Sequence, residues 1–253
     1  MSVRLFAFTC GWLTGPLGLF LRGEQGRIRV PVPAYLIEHP RGRVLFDSGL
    51  HPEIHADPDT RLGVSAGVFE VELAEGEDLA GRLESLDADP AGIDTLINSH
   101  LHFDHAGGNA LVPNARLVVQ RAEWEAGLDA DGVRANGYVR SDYDLGHDVL
   151  TVTGEHDMFG DGSVVCLPTH GHTPGHQSLR VRLDSGDVVL AGDACYLART
   201  LDDGHLPAIL QDEAAMRKSL ESLRKLRDSG ARIFYGHDPD FWRTLPKAPQ
   251  PIV

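Results

Sequence analysis

Four side chains that can bind a metal lie within six consecutive positions of this chain, directly after an apolar segment. The run reads Ser-His-Leu-His-Phe-Asp-His over residues 99–105. Three imidazoles and a carboxylate held this close together are costly to desolvate, whereas a divalent cation turns that cost into coordination energy. Residues 95–98 predict a buried strand that opens into a loop at the cluster, a common location for active sites. The sequence therefore predicts a metal site at the end of a strand.

The spacing of these ligands indicates two metals. His100 and His102 are two residues apart, so they can point the same way in an extended or turning segment. Asp104 and His105 follow after the chain has turned. Each pair is therefore expected to serve a different metal, and the Gly-Gly sequel strengthens the motif.

Further along the chain, His172, Asp193 and His237 are the next candidate ligands. Each lies at the end of a predicted strand or in a turn beside one, and each is directly preceded by a glycine. A glycine at that position lets the backbone approach closely.

The complete series resembles the dinuclear members of the metallo-β-lactamase superfamily. Within it, the sequence is most similar to the quorum-quenching N-acyl homoserine lactone lactonases. The resemblance covers residues 30–240 and is carried by Ser-His-Leu-His-Phe-Asp-His-Ala-Gly-Gly-Asn, Gly-His-Thr-Pro-Gly-His-Gln-Ser-Leu, Gly-Asp-Ala-Cys-Tyr and Phe-Tyr-Gly-His-Asp. It implies an α/β (α+β) fold, a four-layer αββα sandwich, with one domain over residues 1–253.

The resemblance also implies how the ligands divide between two divalent metal ions. The first would be held by His100, His102 and His172, the second by Asp104, His105 and His237, with Asp193 bridging them. Zinc is the expected metal, although such a ligand set also accepts iron, manganese or cobalt.

Two other histidines lie near the His172 position. His170 is a second candidate two residues earlier, but the Thr-Pro-Gly-His sequel aligns His172 with the ligand position. His176 is expected to support the turn rather than to bind a metal.

The implied activity is opening of the lactone ring of N-acyl homoserine lactones by a metal-bridging hydroxide, whose pKa the metals lower. Asp104 would carry a proton to the departing alkoxide, and Tyr196 would bind or polarise the substrate carbonyl. A metal-dependent ester or phosphotriester hydrolase is the main alternative. A non-catalytic metal-binding protein is a further one.

Other residues are expected near this site. Trp12 and Leu17, in an apolar segment interpreted as a loop, and Val68 with Phe69 would form a wall for the acyl chain, with packing or a dimer contact as alternatives. Asp47 ends another predicted strand and either bonds to a metal ligand or forms a plain turn.

The composition agrees with a soluble enzyme, and the charge argues against a polyanionic partner. A formal charge of −14 argues against nucleic acid, because that binding needs clustered lysine and arginine. We expect a small lactone or ester substrate, no membrane span and, from three cysteines without metal spacing, a cytoplasmic location; a homodimer stays open. The predicted strands are 3–9, 32–39, 43–47, 95–99, 116–120, 163–167, 177–183, 187–192 and 231–235, and the clearest helices are 77–86 and 213–228.

Overall fold

Twelve strands form two sheets in the computed structural model, which describes residues 2–253. The seven-stranded sheet has the order β4-β1-β2-β3-β5-β6-β7, and the five-stranded sheet has the order β12-β11-β10-β9-β8. The first sheet contains β1 (Arg4–Pro16), β2 (Arg27–His39), β3 (Gly42–Phe46), β4 (Glu70–Glu72), β5 (Thr95–Ile97), β6 (Arg116–Gln120) and β7 (Val149–Val152). The second contains β8 (His156–Asp157), β9 (Val164–Pro168), β10 (Gln177–Leu183), β11 (Gly186–Leu190) and β12 (Arg232–Phe234).

The helices lie between these strands, and most are short. They are α1 (Leu17–Phe20), α2 (Pro58–Leu62), α3 (Leu79–Glu84), α4 (Phe103–Ala106), α5 (Arg121–Leu128), α6 (Ala130–Asn136), α7 (Ala198–Asp202), α8 (Glu213–Asp228) and α9 (Pro239–Thr244). Single 3-10 turns occur at Gly63–Ser65, Pro90–Gly92, Asn109–Leu111, Arg140–Asp142 and Gly192–Ala194.

The first sheet is buried on both faces because its strands carry apolar side chains at successive positions. In β1, Leu5 and Ala7 face the second sheet, while Phe6 and Phe8 face the opposite side, as the two-residue period of a strand requires. The outer face packs against Leu79 and neighbouring residues of α3.

The second sheet is covered on its outer face by α8. Met216, Leu220 and Leu223 recur at helical spacing and pack against strand residues such as Val189 and Ile233. The layers are therefore helix, sheet, sheet and helix, which confirms the predicted αββα sandwich. That residues 1–253 act as one domain stays a prediction, although side chains of both sheets share one core.

The structure corrects the interpretation of the apolar N-terminal segment as a loop. Strand β1 continues through it to Pro16, and α1 follows. The register with β2 shifts between Thr9 and Trp12, where Gly11 has a φ of 109°. This bulge lets the strand continue past Gly11, within the segment that was interpreted as a loop. Strands β4, β7 and β8, each of four residues or fewer, were also missed.

The parallel pairs of each sheet determine where the candidate ligands meet. Strands β3 and β5 are parallel, so the residues after them, Asp47 and the 99–105 run, leave the first sheet at the same end. Strands β11 and β12 are also parallel, which places Asp193 and His237 together at the end of the second sheet. The site therefore forms where the strand ends of the two sheets converge. Over residues 2–253, no helix is both long and apolar enough to cross a bilayer.

Candidate metal centre and substrate cavity

Three histidine nitrogens converge on one point at the end of the first sheet. His100 Nε2 lies 2.8 Å from His102 Nδ1, and His172 Nε2 lies 3.2 Å and 3.0 Å from these two atoms. Asp193 joins them, with Oδ2 3.3 Å from His172 Nε2. We call His100, His102 and His172 the first ligand group.

A second cluster lies beside the first. It contains Asp104, His105 and His237, all buried, which we call the second ligand group. Asp193 Oδ1 lies 3.3 Å from His105 Nε2 and 3.1 Å from His237 Nε2. Asp104 Oδ2 lies 3.6 Å from His237 Nε2. The two oxygens of Asp193 thus face different ligand groups, as expected of a bridging carboxylate.

The chemistry of these donors fits two cations. Nitrogen ligands of a tetrahedral zinc at 2.0–2.1 Å lie roughly 3.3 Å apart, close to the 2.8–3.2 Å within the first ligand group. His105 Nε2 and Asp193 Oδ1 are buried without a hydrogen-bond partner, which is costly unless another group satisfies them. In the described part of the chain, no lysine or arginine pairs with Asp47, Asp104 or Asp193. The positive charge that these carboxylates need is therefore left to histidine protons or to metal ions.

The opposite ring nitrogen of every histidine in the two groups is held by a fixed partner. Such partners select the tautomer and the orientation of a metal ligand. They are Ser99 Oγ for His100 (3.0 Å), the Asn136 carbonyl for His102 (2.7 Å), Asp47 Oδ2 for His105 (2.9 Å), the Ile209 carbonyl for His172 (3.1 Å) and the Pro31 carbonyl for His237 (2.8 Å). In the neutral form of each ring, the inner nitrogen is therefore the acceptor.

Electrostatics differ between the two groups. Burial and neighbouring imidazoles lower the pKa of His100 well below its usual range, so this ring is neutral and ready to bind a metal. Burial also lowers the pKa of His172. Burial alone would lower the pKa of His105 as well, but Asp193, Asp104 and Asp47 outweigh it and raise this pKa well above its usual range. The second group therefore attracts positive charge most strongly.

Asp47 takes the ligand-supporting role that the sequence left open. Its Oδ2 accepts the His105 ring N–H, and its Oδ1 accepts the backbone N–H of Ser99 at 2.6 Å. The same carboxylate accepts the Ser99 hydroxyl at 2.8 Å. Asp47 thus connects the end of β3 to the run that carries four of the ligands.

His176 and His170 both lie outside the two groups. His176 Nε2 accepts the backbone N–H of Asp193 at 3.0 Å, and burial lowers the pKa of its ring to about 3, so it stays a neutral acceptor. It therefore supports Asp193 as well as the turn. His170 is not among the grouped donors of residues 2–253.

Above the ligands is a cavity of about 260 Å³ with a mostly apolar wall. Ligands form its base, and the wall includes Leu13, Leu19, Phe20, Val64, Val68, Phe69, Phe103, Asn136, Gly137, Tyr196 and Ile209. Phe69 and Val68 are therefore part of a cavity wall, and their contact with an acyl chain stays a prediction.

Trp12 and Leu17 are not part of this lining. The Trp12 ring packs under the Arg29 guanidinium, 3.9 Å from the ring centroid, and Leu17 lies in a separate surface groove. The bulge in β1 changes which side chains turn inward, so Leu13 lines the cavity instead of Trp12. In the same way, Phe20 rather than Leu17 reaches the cavity from α1.

Sequence reasoning also missed Phe103 and Glu123. Phe103 lies between His102 and Asp104 at the start of α4. Its position in the motif could therefore have predicted that it lies beside the candidate metal ligands. Glu123 has no such signal, because a glutamate in a short helix is ordinarily exposed. The structure instead buries it completely.

Tyr196 lies at the cavity edge next to the first ligand group. Its hydroxyl is 3.3 Å from His172 Nδ1, whose proton is directed to the Ile209 carbonyl. Burial and the nearby Asp193 raise the pKa of Tyr196 well above its usual range. The hydroxyl therefore remains protonated and can donate to a molecule in the cavity.

Comparison with known proteins agrees with this geometry. The family model described as the metallo-beta-lactamase superfamily matches residues 27–237. The chain is 36% identical over 235 residues to the N-acyl homoserine lactonase AttM of Azorhizobium caulinodans, covering 90% of this chain and 89% of the relative. It is 33% identical over 226 residues to the N-acyl homoserine lactonase AiiA of Bacillus thuringiensis subsp. kurstaki, covering 83% and 82%.

A solved structure also superposes on the whole chain. It is an N-acyl homoserine lactone hydrolase with the product N-hexanoyl-L-homoserine at its catalytic metal centre, with a TM-score of 0.88, 28% identity and 100% of both chains covered. The fold, the two ligand groups and these relatives lead to one conclusion: the chain belongs to the metallo-beta-lactamase superfamily and, within it, to the N-acyl homoserine lactonases.

Proposed function

We propose that this protein hydrolyses the lactone ring of N-acyl homoserine lactones, using two divalent metal ions bound by the first and second ligand groups. The observation that carries this proposal is the placement of Asp193, whose two oxygens face the two groups at the base of an apolar cavity. The lactonase relatives support the same activity.

In this proposal His100, His102 and His172 hold one ion, Asp104, His105 and His237 hold the other, and Asp193 contacts both. Zinc suits this set, because imidazole nitrogens with carboxylate oxygens are its usual ligands in hydrolases. When bound, such ions lower the pKa of water to about 7 and polarise a carbonyl oxygen.

The protein's own groups position the substrate and move protons. The Tyr196 hydroxyl would donate to the lactone carbonyl oxygen, where negative charge develops. Asp104 borders the cavity and would take a proton from the attacking water and deliver it to the ring oxygen as the acyl C–O bond breaks. Water contributes its oxygen to the acyl carbon, so the products are a carboxylate and an alcohol on the same molecule.

The apolar wall would receive the acyl chain. Phe69 lies between Phe20 and Phe103, with ring centroids 6.2 Å and 6.4 Å away. These three rings present a continuous apolar surface within one side of the cavity. Burial of chain methylenes against them would stabilise the complex without contributing to the reaction itself.

A pH-stat assay with zinc-loaded protein tests the proposal, because hydrolysis of each substrate class releases acid. We expect a larger kcat/KM for hexanoyl homoserine lactone than for a simple alkyl ester or a phosphotriester. Asp193→Ala should abolish turnover while its circular dichroism spectrum stays that of a folded chain. Preference for the phosphotriester by orders of magnitude would contradict the proposal, and no turnover with two ions bound would favour a binding protein.

We also infer a reducing compartment such as the cytoplasm. Cys10, Cys166 and Cys195 are buried, and none forms a disulfide within residues 2–253. Formation of a homodimer stays a prediction that sedimentation velocity can test.

A further inference from the structure

Glu123 is a buried carboxylate that accepts four hydrogen bonds and pairs with no cation in the described residues. It lies in the first turn of α5 and is 0% exposed. Its Oε1 accepts from Leu101 N–H (3.0 Å) and the Tyr138 hydroxyl (2.6 Å). Its Oε2 accepts from the Thr173 hydroxyl (2.8 Å) and Gly175 N–H (2.9 Å). Burying a carboxylate away from water costs free energy, and the four hydrogen bonds to Glu123 offset that cost.

Three of the four donors belong to the segments that carry the first ligand group. Leu101 lies between His100 and His102, so its N–H fixes the peptide that joins these two ligands. Thr173 directly follows His172. Each oxygen of Glu123 therefore holds one of the two loops whose histidines must meet at one point.

The fourth donor reaches His102 by another path. The Tyr138 hydroxyl bonds to Glu123, and two residues earlier the Asn136 carbonyl accepts the His102 ring N–H at 2.7 Å. The Tyr138 ring also lies 5.6 Å from the His102 ring, centroid to centroid. Glu123 thus holds in place the segment that selects the tautomer of His102.

Gly175 shows how closely the second loop approaches α5. A Cβ at this position would lie 2.2 Å from the backbone nitrogen of Glu123, so any side chain would clash with α5. The glycine therefore brings the His172 loop within reach of the carboxylate.

The second ligand group is oriented by different partners. His105 is held by Asp47 and His237 by the Pro31 carbonyl, and neither partner contacts Glu123. We propose that Glu123 is a positioning residue that sets the geometry of the first ligand group and leaves the second group unaffected. This inference rests on the proposed function, since it concerns the same metal centre.

Glu123→Gln tests the inference with little change in shape. Leu101 N–H and Gly175 N–H can only donate, and they use different oxygens of Glu123. The amide offers a single oxygen, so one of these N–H groups must face an NH₂ in either orientation. Affinity for zinc in the first group should fall about 10- to 100-fold, as for other partners of metal ligands.

The readout is zinc occupancy in each group separately. Anomalous scattering at the zinc edge from crystals grown at limiting zinc should show lower occupancy at His100, His102 and His172 and unchanged occupancy at Asp104, His105 and His237. Chelator competition in solution gives the change in affinity. Excess zinc should restore kcat for the lactone while KM stays constant.

Two further variants are compared with Glu123→Gln. Asp142→Asn makes the same carboxylate-to-amide change at another buried position and should leave both zinc occupancies unchanged. Thr173→Val removes one hydroxyl donor but keeps both backbone N–H bonds, so it should give a smaller effect in the same direction as Glu123→Gln.

Equal zinc loss from both groups in Glu123→Gln would overturn the inference, as would a lower Tm with both occupancies intact. In either case normal lactone turnover by the wild type leaves the proposed function standing. If the wild type binds zinc in neither group, the proposed function fails and the inference fails with it.

Discussion

Nδ1 of His105 lies 2.9 Å from Oδ2 of Asp47, whose own backbone has a φ of 60°. A non-glycine residue in this left-handed conformation is uncommon, and aspartate and asparagine tolerate it better than most. The same carboxylate also accepts the N–H of Ser99, two residues after the end of β5. The chain thus accepts local backbone strain at the point where a ligand of the second group is oriented.

Asp47→Asn should weaken zinc binding in the second group about 10- to 100-fold. The first group should be affected less, because Asp47 reaches His100 only through Ser99. The amide tolerates the same backbone conformation, but its NH₂ cannot accept the proton of His105 when its oxygen faces Ser99. Site-resolved zinc occupancy checks this expectation. Asp47→Ala should in addition lower the free energy of unfolding by about 1–2 kcal/mol, because alanine is strained at this φ. Zinc loss from the first group as large as that from the second group would contradict the assignment.

Tyr196→Phe should lower kcat for lactone hydrolysis by up to about 100-fold without changing zinc content. The hydroxyl is the group lost, while the ring keeps its edge contact with Phe20, 5.4 Å between centroids. Because burial and Asp193 raise the pKa of Tyr196 well above 10, the wild type should show no loss of activity from its ionisation up to pH 9. Steady-state kinetics measured across pH give both the change in kcat and the pH dependence of the wild type. An unchanged kcat would assign Tyr196 to packing alone.

Phe69→Ala should raise KM for decanoyl homoserine lactone about 10-fold and leave KM for the butanoyl compound nearly unchanged. Each buried methylene contributes about 0.8 kcal/mol, so loss of contact with two of them accounts for this change. Phe159→Ala is the matched control, because that ring stacks on His39 at 3.8 Å and does not line the cavity. A uniform rise in KM for all chain lengths would show that Phe69 does not contact the distal chain.

The sequence was most informative where chemistry restricts the choice of residue. His100, His172 and His237 were identified because few functions other than metal binding explain such a series. The helix at 213–228 was predicted with its observed bounds, since its apolar stripe is regular. In the structure, Asp212 caps it by accepting the N–H of Ala215.

Sequence reasoning failed where tertiary contacts decide the outcome. Trp12 and Leu13 are adjacent, and only the bulge at Gly11 determines which of them faces the cavity. Glu123 was missed because its four donors come from distant segments. The spacing of apolar residues along the sequence does not reveal a shift in strand register or a long-range hydrogen bond.

Removal of the metals should lower Tm by roughly 10 °C for each site occupied, since an ion at 1,000 times its Kd contributes about 4 kcal/mol. Without cations, the first group brings His100 Nε2 to 2.8 Å from His102 Nδ1 beside the buried Asp193. Differential scanning fluorimetry before and after chelation measures the change, and added zinc should reverse it. A Tm that does not respond to chelation while the metals are demonstrably lost would contradict a contribution of this size.

Asp142→Asn should make the stability of the protein less dependent on pH. Asp142 is buried beside Arg61, with Oδ1 3.3 Å from Nη1, but its Oδ2 has no partner. Burial outweighs the attraction of Arg61 and raises the pKa of Asp142 from 3.8 to about 7. Between these two values the unfolded chain loses the proton while the folded chain keeps it, so raising the pH through this window lowers the free energy of unfolding.

Each pH unit in that window costs the wild type about 1.4 kcal/mol, and the loss ends above pH 7 at no more than about 4 kcal/mol. The asparagine variant has no proton to lose at this position. The free energy of unfolding of the variant minus that of the wild type, from urea denaturation at equal zinc, should therefore increase from pH 4.5 to pH 7 and then level off. The difference between the two proteins cancels the titration of all other groups, including the ligands. A constant difference across this range would show that Asp142 is ionised throughout and is stabilised by Arg61 alone.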